Sequence, residues 1–533
     1  MLLPRLAVCI CFSFVLCAQA ESQKVTLLFT NDFESAYDPT AAFWREDIEH
    51  IGGVAQLSSL IRQIRAEEDI VFLFDAGDIF TGTLAKLTHG AISFELMLTM
   101  GYDAMAIGNH EFEYGWAKFA EEKNRVPFPV LGANLFYRGT QHPYAQPYAI
   151  IERQGVRVGV IGILGQDAAT ALIPSNIAGL EVRDPVATTA AYVELLRDSV
   201  DLVVVLTHQG MTAPMQTDDE ADQTVQRGNA ENLALARAVP GIDVIFAGHT
   251  DAGTREPIVD PHNGTLIMQT YGQGQHLGYL QIELDGPSGL SGSPVRLGYT
   301  GKLITVDSDS LPADPRIEAK LAHFRAEYPD IYEQVGISSD YLSRRYYRES
   351  DLGNLFADIV REATEADIGL MPSGALRKDL PQGAIRRVDL FDAFPFADHM
   401  ASVTVTGSQL AQIVEQGLSL TRGILQVSGM SVCYAPEADA FERIQSIYIQ
   451  GEALRPDKTY TLGTLEILAQ GGDAYVQFKD ALHTQIHAET FADELARYFA
   501  DRSVVERPVS GRLKTAGCST NILNEPGSNH ARR

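Results

Sequence analysis

Short apolar runs alternate along this chain with longer segments whose apolar positions recur at helical spacing. The runs are VTLLF (25–29), IVFLF (70–74), AMAIG (104–108), VRVGVIGI (156–163), DLVVVL (201–206) and IDVIFAG (242–248). They are rich in Val and Ile and lack polar alternation, the pattern of strands buried on both faces. Between them, VAQLSSLIRQIRAEE (54–68) sets Val, Leu and Ile along one helical stripe. The succession predicts an α/β layered domain.

At Pro312 and Pro315 the pattern changes. The segment DPRIEAKLAHFRAEYPDIYEQV (314–335) is charged and mostly helical in spacing, and reads as a linker helix between two domains. A second α/β unit follows. The expected organisation is a signal peptide over 1–20, a first domain over 21–312, a linker helix over 313–335, a second domain over 336–513 and a flexible tail over 514–533.

The amino terminus has the parts of an export signal: Arg5, the apolar stretch Leu6 to Cys17, and the small-residue site Ala18-Gln19-Ala20. It is shorter than the ~20 apolar residues that cross a bilayer, and no later stretch qualifies as a span. The expectation is an exported chain, periplasmic or extracellular, whose mature form retains only Cys433 and Cys518, one possible disulfide. The formal net charge is −27, which disfavours a nucleic-acid polymer as partner. A small anionic substrate then needs a local cation cluster or a metal to override that field.

The candidate chemistry sits where the apolar runs end. Asp32 and Glu34 follow the first run, Asp78 the second, Asn109 and His110 the third, His208 the fifth, and His249 and Asp251 the sixth. In open α/β sheets the carboxyl ends of strands are where ligands bind. Singly, each of these residues reads as an ordinary turn, cap or structural histidine. Together they are oxygen and imidazole donors suited to divalent cations.

The order D-x-E, GD, GNHE, H-x-G, GH-x-D resembles the five blocks of the metallophosphoesterase (calcineurin-like) superfamily. ESDLGNLFAD (349–358), SGALR (373–377), FPF (394–396) and AQGGDAY (469–475) resemble the carboxyl-terminal domain of the 5′-nucleotidase family. The resemblance implies a layered β-sandwich flanked by helices, then a linker helix and an α/β substrate domain. It implies two divalent metals, bridged by Asp78, with Asp32, Glu34 and Asp251 on one and Asn109, His208 and His249 on the other. His110, backed by Glu113, would stabilise charge in the transition state. Arg377 would hold the phosphate, Phe396 would stack on a base and Asp473 would bind ribose hydroxyls.

Several positions depart from the family. Glu34 stands where the pattern has His, and Asp251 where relatives commonly carry His, Gln or Asn. Four carboxylates then face two dications, a hard oxygen-rich set that suits Mn²⁺, Mg²⁺ or Ca²⁺ better than Zn²⁺. The alternative is a Glu34 turned away and a first site weak or empty. Pro372 replaces an Asn, Ile467 the second stacking ring, and Ala36 a phosphate-facing arginine. Arg345 and Arg348 flank the place of another arginine, at Tyr346, and are candidate substrate contacts. Phe396 and Ile467 read equally well as core residues.

The leading expectation is a secreted, metal-dependent phosphomonoester hydrolase of 5′-nucleotidase type, acting on a small phosphorylated substrate by in-line attack of a metal-activated water. The first alternative is a phosphatase of a non-nucleotide ester, such as a phosphorylated sugar or glycosyl-phosphoglycerate. The second is a non-catalytic secreted binding protein with the same fold.

Overall fold

The computed structural model describes residues 22–42, 45–210, 228–285, 296–419 and 423–515. The expected signal peptide, nearly all of the expected tail, and Cys518 lie outside the described residues. Cys433 is disulfide-bonded.

Two six-stranded sheets pack against each other in the first domain. One runs Arg296–Thr305, His276–Leu284, Gln23–Thr30, Val71–Asp75, Ala104–Ala106, Val130–Leu131. The other runs Ile258–Val259, Leu266–Gln269, Val244–Gly248, Leu202–His208, Val156–Leu164, Tyr148–Arg153. All seven residues of Leu202–His208 are buried, which is why that run carries no polar alternation. Apolar side chains from both sheets fill the space between them, with the Phe29 and Phe246 rings stacked at 4.1 Å. The Gln23–Thr30 strand is parallel to Val71–Asp75, and Leu202–His208 is parallel to both its neighbours. The carboxyl ends of the parallel strands within each sheet therefore open on one edge.

The helix Val54–Glu67 covers one sheet, burying Val54, Leu57, Ile61 and Ile64. Each such side chain contributes about 1.5–3 kcal/mol by leaving water.

The linker segment is α-helical only from Pro315 to Glu327. Asp314 caps it, accepting from Arg316 N at 3.0 Å, and Ser58 Oγ donates to the same carboxylate at 2.8 Å, which fastens the helix to the first domain. Tyr328 and Pro329 end it, because proline restricts the residue before it and brings no N–H. A short turn of 3-10 helix follows at Pro329–Tyr332, and Gln334–Ser338 is already a strand of the second domain.

The second domain is built on a five-stranded sheet in the order Leu425–Ser428, Ile368–Pro372, Thr459–Leu465, His399–Thr406, His483–Thr490. The helix Asp351–Ala363 packs on it through Leu352, Leu355, Phe356, Ile359 and Val360, and Ser350 Oγ caps its start by accepting from Gly353 N at 3.1 Å. No helix among the described residues is long and apolar enough to cross a membrane.

Candidate metal and phosphoester site

Loops that leave the strand ends of both sheets meet at one place, between the two domains. Asp32, Glu34, Asp78, Asn109, His110, His249 and Asp251 line one cavity of about 100 Å³ there. His208 lies behind its wall, fully buried, with Nε2 3.0 Å from Asp78 Oδ2 and 3.1 Å from Asn109 Oδ1.

The backbone is bent to achieve this. Asp32, Glu34, Asp78, His249 and Asp251 all have positive φ, between 47° and 83°. A non-glycine residue held there costs about 1–3 kcal/mol, so the surroundings must over-determine it. They do so through hydrogen bonds. His249 N donates to both oxygens of Asp32 at 2.9 Å, and Asn31 Nδ2 donates to Asp32 Oδ2 at 2.6 Å. Two glycines are needed for the close approach. A Cβ on Gly77 would lie 2.6 Å from Gly108 N, and one on Gly108 would lie 2.2 Å from Asp78 Oδ1.

The donor atoms fit divalent cations. Ligand-type atoms of Asp78, His208 and His249 lie within 4.8 Å of one another, and so do those of Glu34, Asp78 and His110, so Asp78 belongs to both groups. His208 Nδ1 lies 2.8 Å from the Ala76 carbonyl, which only accepts. The Nδ1 proton is thereby fixed, and Nε2 is the atom turned toward Asp78 and Asn109. Burial disfavours the imidazolium of His208, yet Asp78 and Asp32 outweigh it and lift the group to about 9. A dication at Nε2 would take the place of that second proton.

His110 lines the same cavity. Its Nδ1 is 3.3 Å from Glu113 Oε2, and its ring stacks on Phe396 at 5.5 Å. Burial opposes its charge, but Asp78, Glu113 and Glu111 raise it to about 9.

Glu34 is turned inward. Its Oε1 is 3.8 Å from His110 Nε2, and the same oxygen accepts from Arg377 Nη2 of the second domain. Arg377 is pulled down to about 10 by burial, against the attraction of Asp32 and Asp473.

The second domain supplies the rest of the wall. Pro372, Arg377, Phe396, Ile467 and Asp473 all line the 100 Å³ cavity. Phe396 and Ile467 also pack against the domain core, so the core and pocket readings both describe them. Arg345 and Arg348 are not among the lining residues. Arg345 lines a separate cavity of about 660 Å³ across the Glu34–Arg377 pair, and Ala36 lines that cavity too.

Three features of the site left no distinct sign in the sequence. Glu111, inside the GNHE block, accepts from Asp78 N at 3.0 Å, Ile79 N at 2.7 Å and Gly108 N at 2.6 Å, and so ties two of the site loops together. Asn31 holds Asp32 while its Oδ1 accepts from Thr270 N at 2.7 Å. Asp398 lines the cavity beside Phe396. Glu111 and Asn31 are adjacent to recognised site residues, a signal that proximity alone offered.

Comparison with known proteins agrees with this arrangement domain by domain. Residues 26–252 match the family described as calcineurin-like phosphoesterase, and residues 333–480 match the 5′-nucleotidase C-terminal domain. The chain belongs to the 5′-nucleotidase family of calcineurin-like phosphoesterases. It is 27% identical to Protein UshA of Yersinia enterocolitica over 90% of this chain and 92% of that one. It is 26% identical to the 5′-nucleotidase of Rattus norvegicus over 94% and 92%. The crystal structure of a 5′-nucleotidase precursor from Thermus thermophilus superposes with a TM-score of 0.81 at 25% identity, over 93% of this chain and 99% of that one. As a member of this family the chain is a metal-dependent phosphoester hydrolase, and divalent metals are its cofactors.

Proposed function

We propose that this chain is an exported phosphomonoesterase of 5′-nucleotidase type with a two-metal site. One observation carries the reading: metal-type donors of the first domain and Arg377, Phe396 and Asp473 of the second line a single cavity. Asp32, Glu34, Asp78 and Asp251 would hold one metal, and Asp78, Asn109, His208 and His249 the other. The metals supply charge neutralisation at the phosphoryl oxygens and a water acidic enough to attack at neutral pH.

The side chains do the rest. Arg377 donates to a phosphoryl oxygen, leaving Glu34 to the metal. Counting Arg377, the site holds one positive charge beyond the balance of four carboxylates and two dications, which suits an incoming phosphate dianion. His110, kept cationic and oriented by Glu113, places a further positive charge where the transition state spreads negative charge. Asp473 accepts from hydroxyls of the leaving group, and Phe396 gives it a flat wall.

A second reading, hydrolysis of a smaller sugar or polyol phosphate, is favoured by the size of the cavity. At about 100 Å³ it falls below the roughly 300–1,000 Å³ of ordinary small-molecule sites. Ile467, where a second ring would stack, points the same way, since each base–aromatic stack is worth about 1–3 kcal/mol.

Turnover after chelation and restoration of single metals decides between them, with AMP, glucose 6-phosphate and a chromogenic phosphate ester as substrates. AMP hydrolysed well above the others supports the first reading, and a sugar phosphate hydrolysed fastest supports the second. A folded protein inert with every metal would leave a binding protein. The same assay checks Glu34→His, which is expected to raise the Zn²⁺-to-Mn²⁺ activity ratio about tenfold, because imidazole replaces a hard oxygen donor. An unchanged ratio would remove Glu34 from the metal shell.

A further inference from the structure

His110 is held from both domains. Its own domain provides Glu113, whose Oε2 lies 3.3 Å from His110 Nδ1. The second domain provides Phe396, whose ring stacks on the imidazole at 5.5 Å with 27° between the planes. The next residue of that loop, Ala397, donates its backbone N–H to Glu113 Oε1 at 3.2 Å. One carboxylate therefore joins a first-domain imidazole to a second-domain amide, with one oxygen for each.

The rest of Glu113 is fixed. The residue is buried. Its N–H donates to His110 O at 3.0 Å, and Asn176 Nδ2 donates to its carbonyl at 2.9 Å. With the backbone tied at both groups, the side-chain torsions are what its two partners set. Without the second domain docked, Oε1 loses its donor and Phe396 leaves the face of the imidazole. The His110 ring then keeps a single partner on a carboxylate that is free to turn.

We propose that Glu113 is a positioning residue that couples domain docking to the chemistry: it locks the His110 ring in its working orientation only while Ala397 of the second domain holds its other oxygen. His110 is then set for the phosphoryl group when the wall that receives the leaving group is in place, and not before. The coupling uses the length of glutamate. Aspartate sets the carboxylate one methylene back, so that keeping His110 Nδ1 means giving up Ala397 N. The inference rests on reading His110 as a stabiliser of the transition state in a phosphomonoesterase.

Glu113→Asp, made in the wild type and in His110→Ala, is the test, with whichever of AMP, glucose 6-phosphate and the chromogenic ester turns over best. In the wild type kcat is expected to fall about tenfold with KM little changed, the effect of losing one hydrogen bond to a charged group. In His110→Ala the same substitution is expected to change kcat less than about twofold, because the residue it acts through is gone. Amide hydrogen exchange of the metal-free chain is read on the peptide that contains Ala397. It is expected to quicken about threefold or more in Glu113→Asp and in His110→Ala, and no further in the double variant. A wild-type kcat in Glu113→Asp overturns the proposal. So does an equal loss in both backgrounds, the mark of a contact that only fastens the domains together. Unchanged exchange at Ala397 in either single variant overturns it too. Should no phosphoester turn over with any metal, the hydrolase reading fails separately, and the exchange rates still decide whether Glu113 joins His110 to Ala397.

Discussion

Replacing Asp78 by Asn is expected to lower kcat/KM by about 10³-fold, the upper end of what losing one electrostatic stabiliser costs. Asp78 is the one residue common to both donor groups. Its carboxylate meets His208 Nε2 at 3.0 Å and His110 Nε2 at 3.9 Å, and its Oδ1 accepts from His110 N at 2.8 Å. Those imidazoles hold it below the usual carboxylate range, although burial pushes the other way. An amide keeps the shape and the single acceptor toward His110 N but removes the charge that the proposed pair of dications would share. The measurement is turnover of the best substrate together with metal content of the purified protein. A variant with wild-type rates and metal content would refute the two-metal assignment. A variant with less metal and low activity is the expected result.

Glu111→Ala is expected to destabilise the fold by about 3 kcal/mol or more and to lower activity with it. The Glu111 carboxylate answers three buried backbone N–H groups, those of Asp78, Ile79 and Gly108. Each donor left buried without a partner costs about 1–3 kcal/mol. The residue touches no expected substrate, so its effect on chemistry is indirect, through the positions of Asp78 and His110. Chemical denaturation of the metal-stripped protein measures the stability loss. A loss of well under about 1 kcal/mol would show that water or a neighbouring group replaces the carboxylate. Glu111→Gln, which keeps one strong acceptor oxygen, is expected to lie between wild type and Ala.

The first domain was legible because its strands are buried on both faces. Leu202–His208 and Val156–Leu164 have no solvent face to encode, so composition alone marked them. The helix Val54–Glu67 was legible because only one of its faces is buried. The linker was readable to Glu327 and misread beyond it, since charge and spacing continue past Tyr328 while the chain geometry does not. Arg345 illustrates the harder case. Its side chain lines the larger cavity, and local sequence cannot report which side of a loop faces which cavity.

Glu34 shows where local information ran out. Its acidity was visible, but whether it faced the metals or turned away was open. The answer depends on Arg377, which lies 343 positions further along the chain and reaches it only when the two domains pack.

The order of residue types along the chain was enough to determine the layered architecture and the family, and to nominate the candidate donor side chains. Burial imprints itself on apolar periodicity, and strand ends are the places where a sheet can release polar groups. Tertiary structure alone decided which donors lie within reach of one another and which carboxylate pairs across the domain boundary. Those outcomes are set by distances of a few ångströms between segments hundreds of residues apart, and no local pattern carries that information.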